Sequence, residues 1–423
     1  MNLTAEQQFL LRLVGCRLPD AGAADLERQA ATIDWRRVLA GATELFYPYV
    51  DHCVRHRLRG DPLPEDVREQ LARVARANTV LHMLQAREFR RIVTALSDLA
   101  IPVVALKGMP LAYQVYPEPA TRAMVDIDLL VREEDWERAR RAVLDLGLRV
   151  PARWAVRAAT GPYAASDMDR PFERPGTPVL VELHDDLESA RPPFAFTMEA
   201  AWARSRPASV AGVPTRVLHP EDFLIHLCLH ASSIDRFRHG LRPLVDILLF
   251  VERHADGWDW PALAAACRAQ GNAGWMYLTL KLVRDLLGAP VPDGFFAALP
   301  VPAHLAEAER LALEQIWEMH TSLIPRSLAE GLAIEDRWGR VGWFLRRLNP
   351  WEQEDVGPTP TAATVARGVL AGARRGVVYM WALQRRLRAA WRQGGLSPAS
   401  LERTMRLQRG RERLRRLMTG GER

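Results

Sequence analysis

Apolar residues recur at helical spacing through the first quarter of the chain. Phe9, Leu10, Leu13 and Val14 make one stripe; Leu71, Val74, Val80, Leu81, Leu84, Phe89, Ile92, Val93 and Leu96 make another. Residues 3 to 98 are therefore predicted to be helical, with the Pro-bearing segment Arg59 to Pro64 separating two helices. At Ile101 the texture changes. Ile101-Pro102-Val103-Val104-Ala105-Leu106 is a short β-prone run closed by Gly108, and Pro110 suits the first turn of a following helix. Val125 to Val131 reads as a strand, Glu133 to Leu146 as a helix stopped by Gly147, and a further strand follows. Val179 to His184 is another strand, bounded upstream by the turn cluster Pro171 to Pro178, and a last weak strand covers Val213 to Leu218. Strands interleaved with helices in this way indicate a compact α/β or α+β core over residues 99–219.

Beyond His219-Pro220 the helical pattern returns as far as about residue 345. Glu221 to Ala231 places Leu224, Leu227 and Cys228 on one stripe, with His226 and His230 at i, i+4 on a neighbouring one. Trp351 to Pro360 is acidic and Pro-bearing, hence a linker, and Thr361 to Arg423 is predicted to be helical and heavily basic. The expected domains are 1–98, 99–219, 220–350 and 351–423.

A chain of 423 residues exceeds one average core. Its 48% hydrophobic and 26% charged content is that of an ordinary soluble globular protein. Cys16, Cys53, Cys228 and Cys267 are too scattered for a zinc knuckle or a disulfide framework. Met1 to Gly15 carries Glu6 and Arg12 and lacks the pattern of a signal peptide, and no uncharged run approaches the roughly 18–20 residues of a membrane span. A cytoplasmic protein is the expectation. Of 57 basic residues only Lys107 and Lys281 are lysine, as Arg-biased codon usage would produce. That bias strips meaning from the arginines and lends some to Lys107.

Candidate chemistry gathers in the predicted core. On a strand, Asp126 and Asp128 point to one side while Val125, Ile127, Leu129 and Val131 point to the other. Two adjacent carboxylates repel unless a cation or a proton lies between them, and oxygen ligands suit Mg²⁺. Lys107-Gly108 stands between a predicted strand and a predicted helix, where backbone N–H groups and a point positive charge can meet phosphate oxygens. Arg122 offers a fork for bidentate phosphate binding. Glu182, in an otherwise apolar strand, is the candidate third acid; beside Asp126 and Asp128 it would complete a site for two Mg²⁺ ions, or act as general base. His184 reads more readily as a packed strand histidine than as a participant. A solvated edge strand would show the same alternation as the Asp126 run.

The succession Val104-Ala105-Leu106-Lys107-Gly108, Arg122, Asp126-Ile127-Asp128-Leu129-Leu130-Val131, a helix ending in Leu146-Gly147, and Val181-Glu182-Leu183-His184 resembles the uncharacterised bacterial nucleotidyltransferase family within the DNA polymerase β-like superfamily. Two departures from the superfamily pattern stand out: Lys-Gly replaces its usual Gly-Gly or Gly-Ser turn, and Glu182 replaces a late acid that is commonly Asp. The resemblance implies an α+β fold with a small mixed-sheet nucleotidyltransferase core flanked by N-terminal and C-terminal helical regions. It also implies Asp126 and Asp128 as metal ligands and Lys107-Gly108 at the nucleotide triphosphate, ATP being the expected one. An acceptor oxygen would attack the α-phosphate, and pyrophosphate would leave.

The helices after Pro220 would then supply the acceptor side, with His226, His230 and Asp246, and with them His184 from the core, as polar points of interest. The histidine pair lacks further ligands at convincing spacing for zinc. The acceptor is a small molecule, a peptide or a protein side chain. Two other readings stay open: a non-catalytic nucleotide-binding or scaffold protein, and an RNA-binding module using the basic C-terminal helices, which also suit an anionic membrane surface.

Overall fold

The computed structural model describes residues 3–16, 20–60, 62–151, 171–187, 190, 193–318 and 398–419. The chain opens with helices α1 (Ala5–Val14), α2 (Asp20–Ala30), α3 (Trp35–Ala40), α4 (Tyr47–Arg57) and the 34-residue α5 (Glu65–Asp98). Local chemistry sets their starts. Thr4 and Gln7 form a reciprocal capping box on α1, and Asp34 accepts from the amides of Arg36 and Arg37 on α3. Pro64 breaks the chain before α5, whose first turn carries Glu65 and Asp66.

Next come β1 (Val104–Ala105), α6 (Gly108–Gln114), β2 (Ile127–Leu130), α7 (Trp136–Asp145), β3 (Pro171–Glu173), β4 (Leu180–His184), α8 (Met198–Arg204), β5 (Arg206–Val210) and β6 (Val213–Val217). Helices α9 (Pro220–Leu229), α10 (Arg242–Arg253), α11 (Trp260–Ala269), α12 (Ala273–Leu287), α13 (Asp293–Ala297), α14 (Leu305–Glu318) and α15 (Pro398–Thr419) follow, with short 3-10 or π turns between some of the elements. The strands form one mixed sheet in the order β3-β4-β2-β1-β6-β5. Strand β1 runs antiparallel to β2 and parallel to β6, β2 runs parallel to β4, and β5 with β6 is an antiparallel hairpin. The fold is thus α+β with helical flanks, as expected. No helix among the described residues is long and apolar enough to cross a membrane.

The described residues fall into two compact units, one within 1–148, 174–320 and 413–423, the other within 149–173 and 321–412. In the first, a continuous core joins Phe9, Trp35 and Phe46 of the N-terminal helices to Val104, Leu130, Leu224, Leu248, Leu280 and Ile316. Leu414 is buried in the same core, and Arg413 pairs with Glu307 at 2.5 Å, so this end of α15 packs as well as carrying charge.

Some expectations change. Of the helical stripe expected along α5, Leu71, Phe89, Ile92, Val93 and Leu96 are buried, but its middle is not: Val80 is 60% exposed, Leu81 and Leu84 are half-buried, and the buried polar positions there are Asn78, His82, Gln85 and Glu88. They sit at the same helical spacing, but a search for apolar residues passes over them. Pro171 to Glu173, expected as turn, is strand β3, and where a strand was expected after Gly147 the described residues show an isolated bridge between Arg149 and Glu173. Strand β5 was not anticipated, because Pro207 and Ser209 dilute its β signal. The linker at 351–360 and the helical stretch 361–397 lie outside the described residues.

The β5–β6 hairpin turns through Ala211 and Gly212, whose φ angles of 52° and 81° match a two-residue primed turn. A Cβ on Gly212 would meet nothing within 4 Å, so a side chain there is opposed by backbone strain alone. Gly212→Ala is expected to lower the unfolding free energy by about 1–2 kcal/mol, read from urea unfolding. An unchanged midpoint would show that the turn relaxes.

Candidate active site

Parallel pairing of β2 and β4 sets Asp128 opposite Glu182 and Leu130 opposite His184. Asp126 lies two residues before Asp128 and so on the same side. On the other side Ile127, Leu129, Val181 and Leu183 are buried to the last few square ångströms, which fixes which way the acids face. Asp128 is 3% exposed. Its Oδ1 accepts a bond from Lys107 Nζ at 3.1 Å and lies 3.1 Å from His184 Nε2, and His184 Nε2 lies 3.7 Å from Glu182 Oε2. One ligand atom from each of Asp128, Glu182 and His184 falls within 4.8 Å of the others, a grouping able to hold a metal ion. His184, read from sequence as packing, is part of this cluster.

Lys107 reaches Asp128 from a constrained turn. The amide of Leu106 donates to the carbonyl of Asp128, and the next residue takes φ 45° and ψ −105° before α6 begins. A lysine with positive φ carries backbone strain of order 1–3 kcal/mol, which must be offset by its surroundings. At Gly108 any side chain would have to displace its neighbours. A Cβ there would come within 2.5 Å of Met124 Sδ and 2.9 Å of Arg122 Nη1.

The electrostatics divide the two aspartates. Burial would raise the Asp128 carboxyl, but Lys107 and His184 hold it well below the usual carboxylate range. Burial, then the charges of Asp128 and Glu182, push the Asp126 carboxyl up to about 7, with Lys107 and Arg242 pulling the other way. One acid is firmly ionised; its neighbour is ready to hold a proton in its place.

Arg122 is not laid open for a phosphate. Its Nε and Nη2 fork onto the carboxylate of Asp246 at 3.0 and 2.9 Å, and Tyr116 Oη donates to the same carboxylate at 2.8 Å. All three side chains are buried, and the negative charge of Asp246 works against the cost of burying the guanidinium. Asp246, proposed from sequence for the acceptor side, is thus the counter-ion of Arg122. The cation that sequence reading missed is Arg242, at the start of α10. It donates to the carbonyl of Ala123 at 2.9 Å and lies close enough to Asp126 to lower its carboxyl pKa. Its position directly before Pro243, at a helix start, was the available signal.

The loop carrying Arg122 and Asp126 is held by the polar stripe of α5. Asn78 donates to the carbonyl of Ala120 at 2.6 Å, and Gln85 to that of Met124 at 3.1 Å. His82 Nε2 lies 3.2 Å from Tyr113 Oη, and Glu88 pairs with Arg174. His226 lies against the cluster from α9. Burial first, then the Lys107 charge, push its imidazole well below its ordinary range, so it stays neutral. His230 turns elsewhere, its Nδ1 3.2 Å from the buried Asp235, which also meets Arg238 at 2.5 Å and His239 at 3.2 Å.

A model of an uncharacterised nucleotidyltransferase family matches residues 31–288, which include every residue of this cluster. The chain belongs to that family. No curated protein and no solved structure matches it. Family membership supports nucleotidyl transfer and, with it, a nucleoside triphosphate as substrate.

Removing one partner of the Arg122–Asp246 pair leaves a buried charge alone. Arg122→Met is expected to cost about 3–5 kcal/mol in urea unfolding, and adding Asp246→Leu to return most of it. If the double variant were no more stable than the single one, the Tyr116 hydroxyl and the nearby Arg242 would suffice to hold Asp246.

Proposed function

We propose that the chain is a Mg²⁺-dependent nucleotidyltransferase that moves a nucleoside monophosphate, from ATP foremost, onto a hydroxyl, phosphate or carboxylate of a small-molecule, peptide or protein acceptor. The observation that carries the reading is the in-register pairing of Asp128 with Glu182, with Asp126 on the same side. Burial first, and then the charges of Asp128 and Glu182, lead Asp126 to hold its proton toward neutrality.

That surplus of negative charge fits a divalent cation, and the oxygen donors fit Mg²⁺. Asp126, Asp128 and Glu182 would hold it; two ions are expected, shared with the phosphates of the nucleotide. When bound, Mg²⁺ supplies charge neutralisation at the phosphates and makes an attacking oxygen easier to deprotonate. The chain's own groups do the positioning. Both short contacts to Asp128 fall on Oδ1, from Lys107 and His184, which hold that carboxylate in one orientation, ionised and able to serve a cation that would bind there. Lys107 and Arg242 bring positive charge to the place where a triphosphate must be accommodated. Glu182, whose side chain keeps 29% of its exposure, would take the acceptor's proton as well as bind metal. Arg122 acts indirectly, by anchoring the loop on Asp246.

Incubating the protein with Mg²⁺ and labelled triphosphates tests the activity, with label transfer and pyrophosphate release as readouts. Asp128→Asn is expected to reduce transfer by more than about 100-fold. Nucleotide binding with no pyrophosphate release across plausible acceptors would favour a non-catalytic nucleotide-binding protein.

Metal binding needs ionised carboxylates. Asp126 has its pKa raised to about 7, so Mg²⁺ affinity measured by calorimetry is expected to increase as pH rises through that value. Glu182→Gln removes one of the charges that raise Asp126 and should move the midpoint down, while weakening binding at high pH. A midpoint unmoved by that change would remove Glu182 from the site.

A further inference from the structure

We propose that His52, His56 and Glu118 form a separate Zn²⁺-type site that ties α4 to the segment leading into Arg122 and Asp126. His52 and His56 lie one turn apart on α4, so their rings share a face; the ring centroids are 4.1 Å apart and the planes 23° from parallel. His56 Nδ1 lies 2.9 Å from the carbonyl oxygen of His52. A carbonyl can only accept, so Nδ1 carries the hydrogen and Nε2 keeps its lone pair. This is the arrangement by which a backbone carbonyl orients a metal-binding histidine.

His52 is the second donor. Its Nδ1 is buried and has no hydrogen-bond partner, while Glu118 Oε1 stands 3.6 Å away, past hydrogen-bonding reach. Burial, followed by the neighbouring His56, pushes the His52 imidazole below its ordinary range, toward the neutral form that ligates. Buried without a hydrogen-bond partner, His52 Nδ1 is a group for which a cation would supply the missing contact.

One ligand atom from each of the three residues lies within 4.8 Å of the others. Bonds of about 2.0–2.1 Å at tetrahedral angles put ligand atoms roughly 3.3 Å apart, so closing the site needs His56 and Glu118, both exposed, to rotate, with the His56 ring turning out of its stack on His52 until both imidazole planes meet at the ion. Water would fill the fourth position. The nearby arginines are committed elsewhere. Arg55 pairs with Asp51 at 2.9 Å, and Arg57 donates to the carbonyls of Leu13 and Gly15.

Glu118 precedes the short turn Pro119–Thr121, whose Thr121 amide and hydroxyl both bond back to the Glu118 carbonyl. A metal on Glu118 would therefore fasten that turn to α4. Equilibrium dialysis of the full chain against Zn²⁺ with Mg²⁺ in excess tests the site, together with the visible absorption of Co²⁺ as a substitute. The wild type is expected to hold one Zn²⁺ that His56→Ala and Glu118→Gln each weaken at least tenfold, with the Co²⁺ band lost. His56→Cys, which restores a zinc ligand, is expected to retain binding. Metal-free melting curves of the two loss variants should match the wild type, since both side chains are exposed. Retention of the ion and the band in both variants would place the metal on the Asp128 cluster instead and overturn the proposal. So would failure of the wild type to retain Zn²⁺.

Discussion

A fully buried carboxylate that stays ionised is the constraint on which the centre of this molecule depends. Asp128 gains no help from water, and two acids crowd it, so its charge persists only because Lys107 and His184 both meet one of its oxygens. Meeting that need shapes the surrounding backbone. Strand β1 pairs with β2, the Leu106 amide binds the Asp128 carbonyl, and the chain then takes a strained positive-φ step that delivers the ammonium of Lys107. An ammonium on a flexible stem can be brought to such a point from a tight turn, where a planar guanidinium would need more room.

Around this centre the protein buries polar groups in pairs. The stripe Asn78, His82, Gln85 and Glu88 on α5 faces loop carbonyls, a phenol and Arg174, and Arg122 with Tyr116 closes around Asp246 on α10. Each bond is worth little net, but leaving any partner unmade inside the protein is expensive. The loop between α6 and β2 is held from α5 through Asn78 and Gln85 and from α10 through Asp246 and Arg242. That restraint, more than any one contact to Asp126, sets where the first aspartate lies.

The parts of this arrangement legible in the sequence are those written in short-range pattern. Alternation in Val125 to Val131 and Val179 to His184 marked both strands and put Asp126, Asp128 and Glu182 on exposed-looking faces. Lys107-Gly108 stood out in a chain with two lysines. What could not be read were pairings between distant segments. Nothing local says that Arg122 meets Asp246, that His184 bonds Asp128, or that Arg242 comes up beside Asp126; these depend on how β2, β4 and α10 dock. The middle of the α5 stripe, around Val80 to Leu84, failed for a different reason. A buried helical face was sought among apolar residues, and this one is polar because it packs on loop carbonyls that need donors.

The alternation of β2 and β4 has a consequence for how the acids come to be neighbours at all. Their mutual repulsion would by itself slide the strands apart or past one another. Ile127, Leu129, Val181 and Leu183 forbid it, because a shift of one residue would turn them to the polar side and drive carboxylates into the core. The crowding of charge is thus inherited from the opposite face of the sheet. An error in the apolar layer and an error in the acid cluster would be the same event.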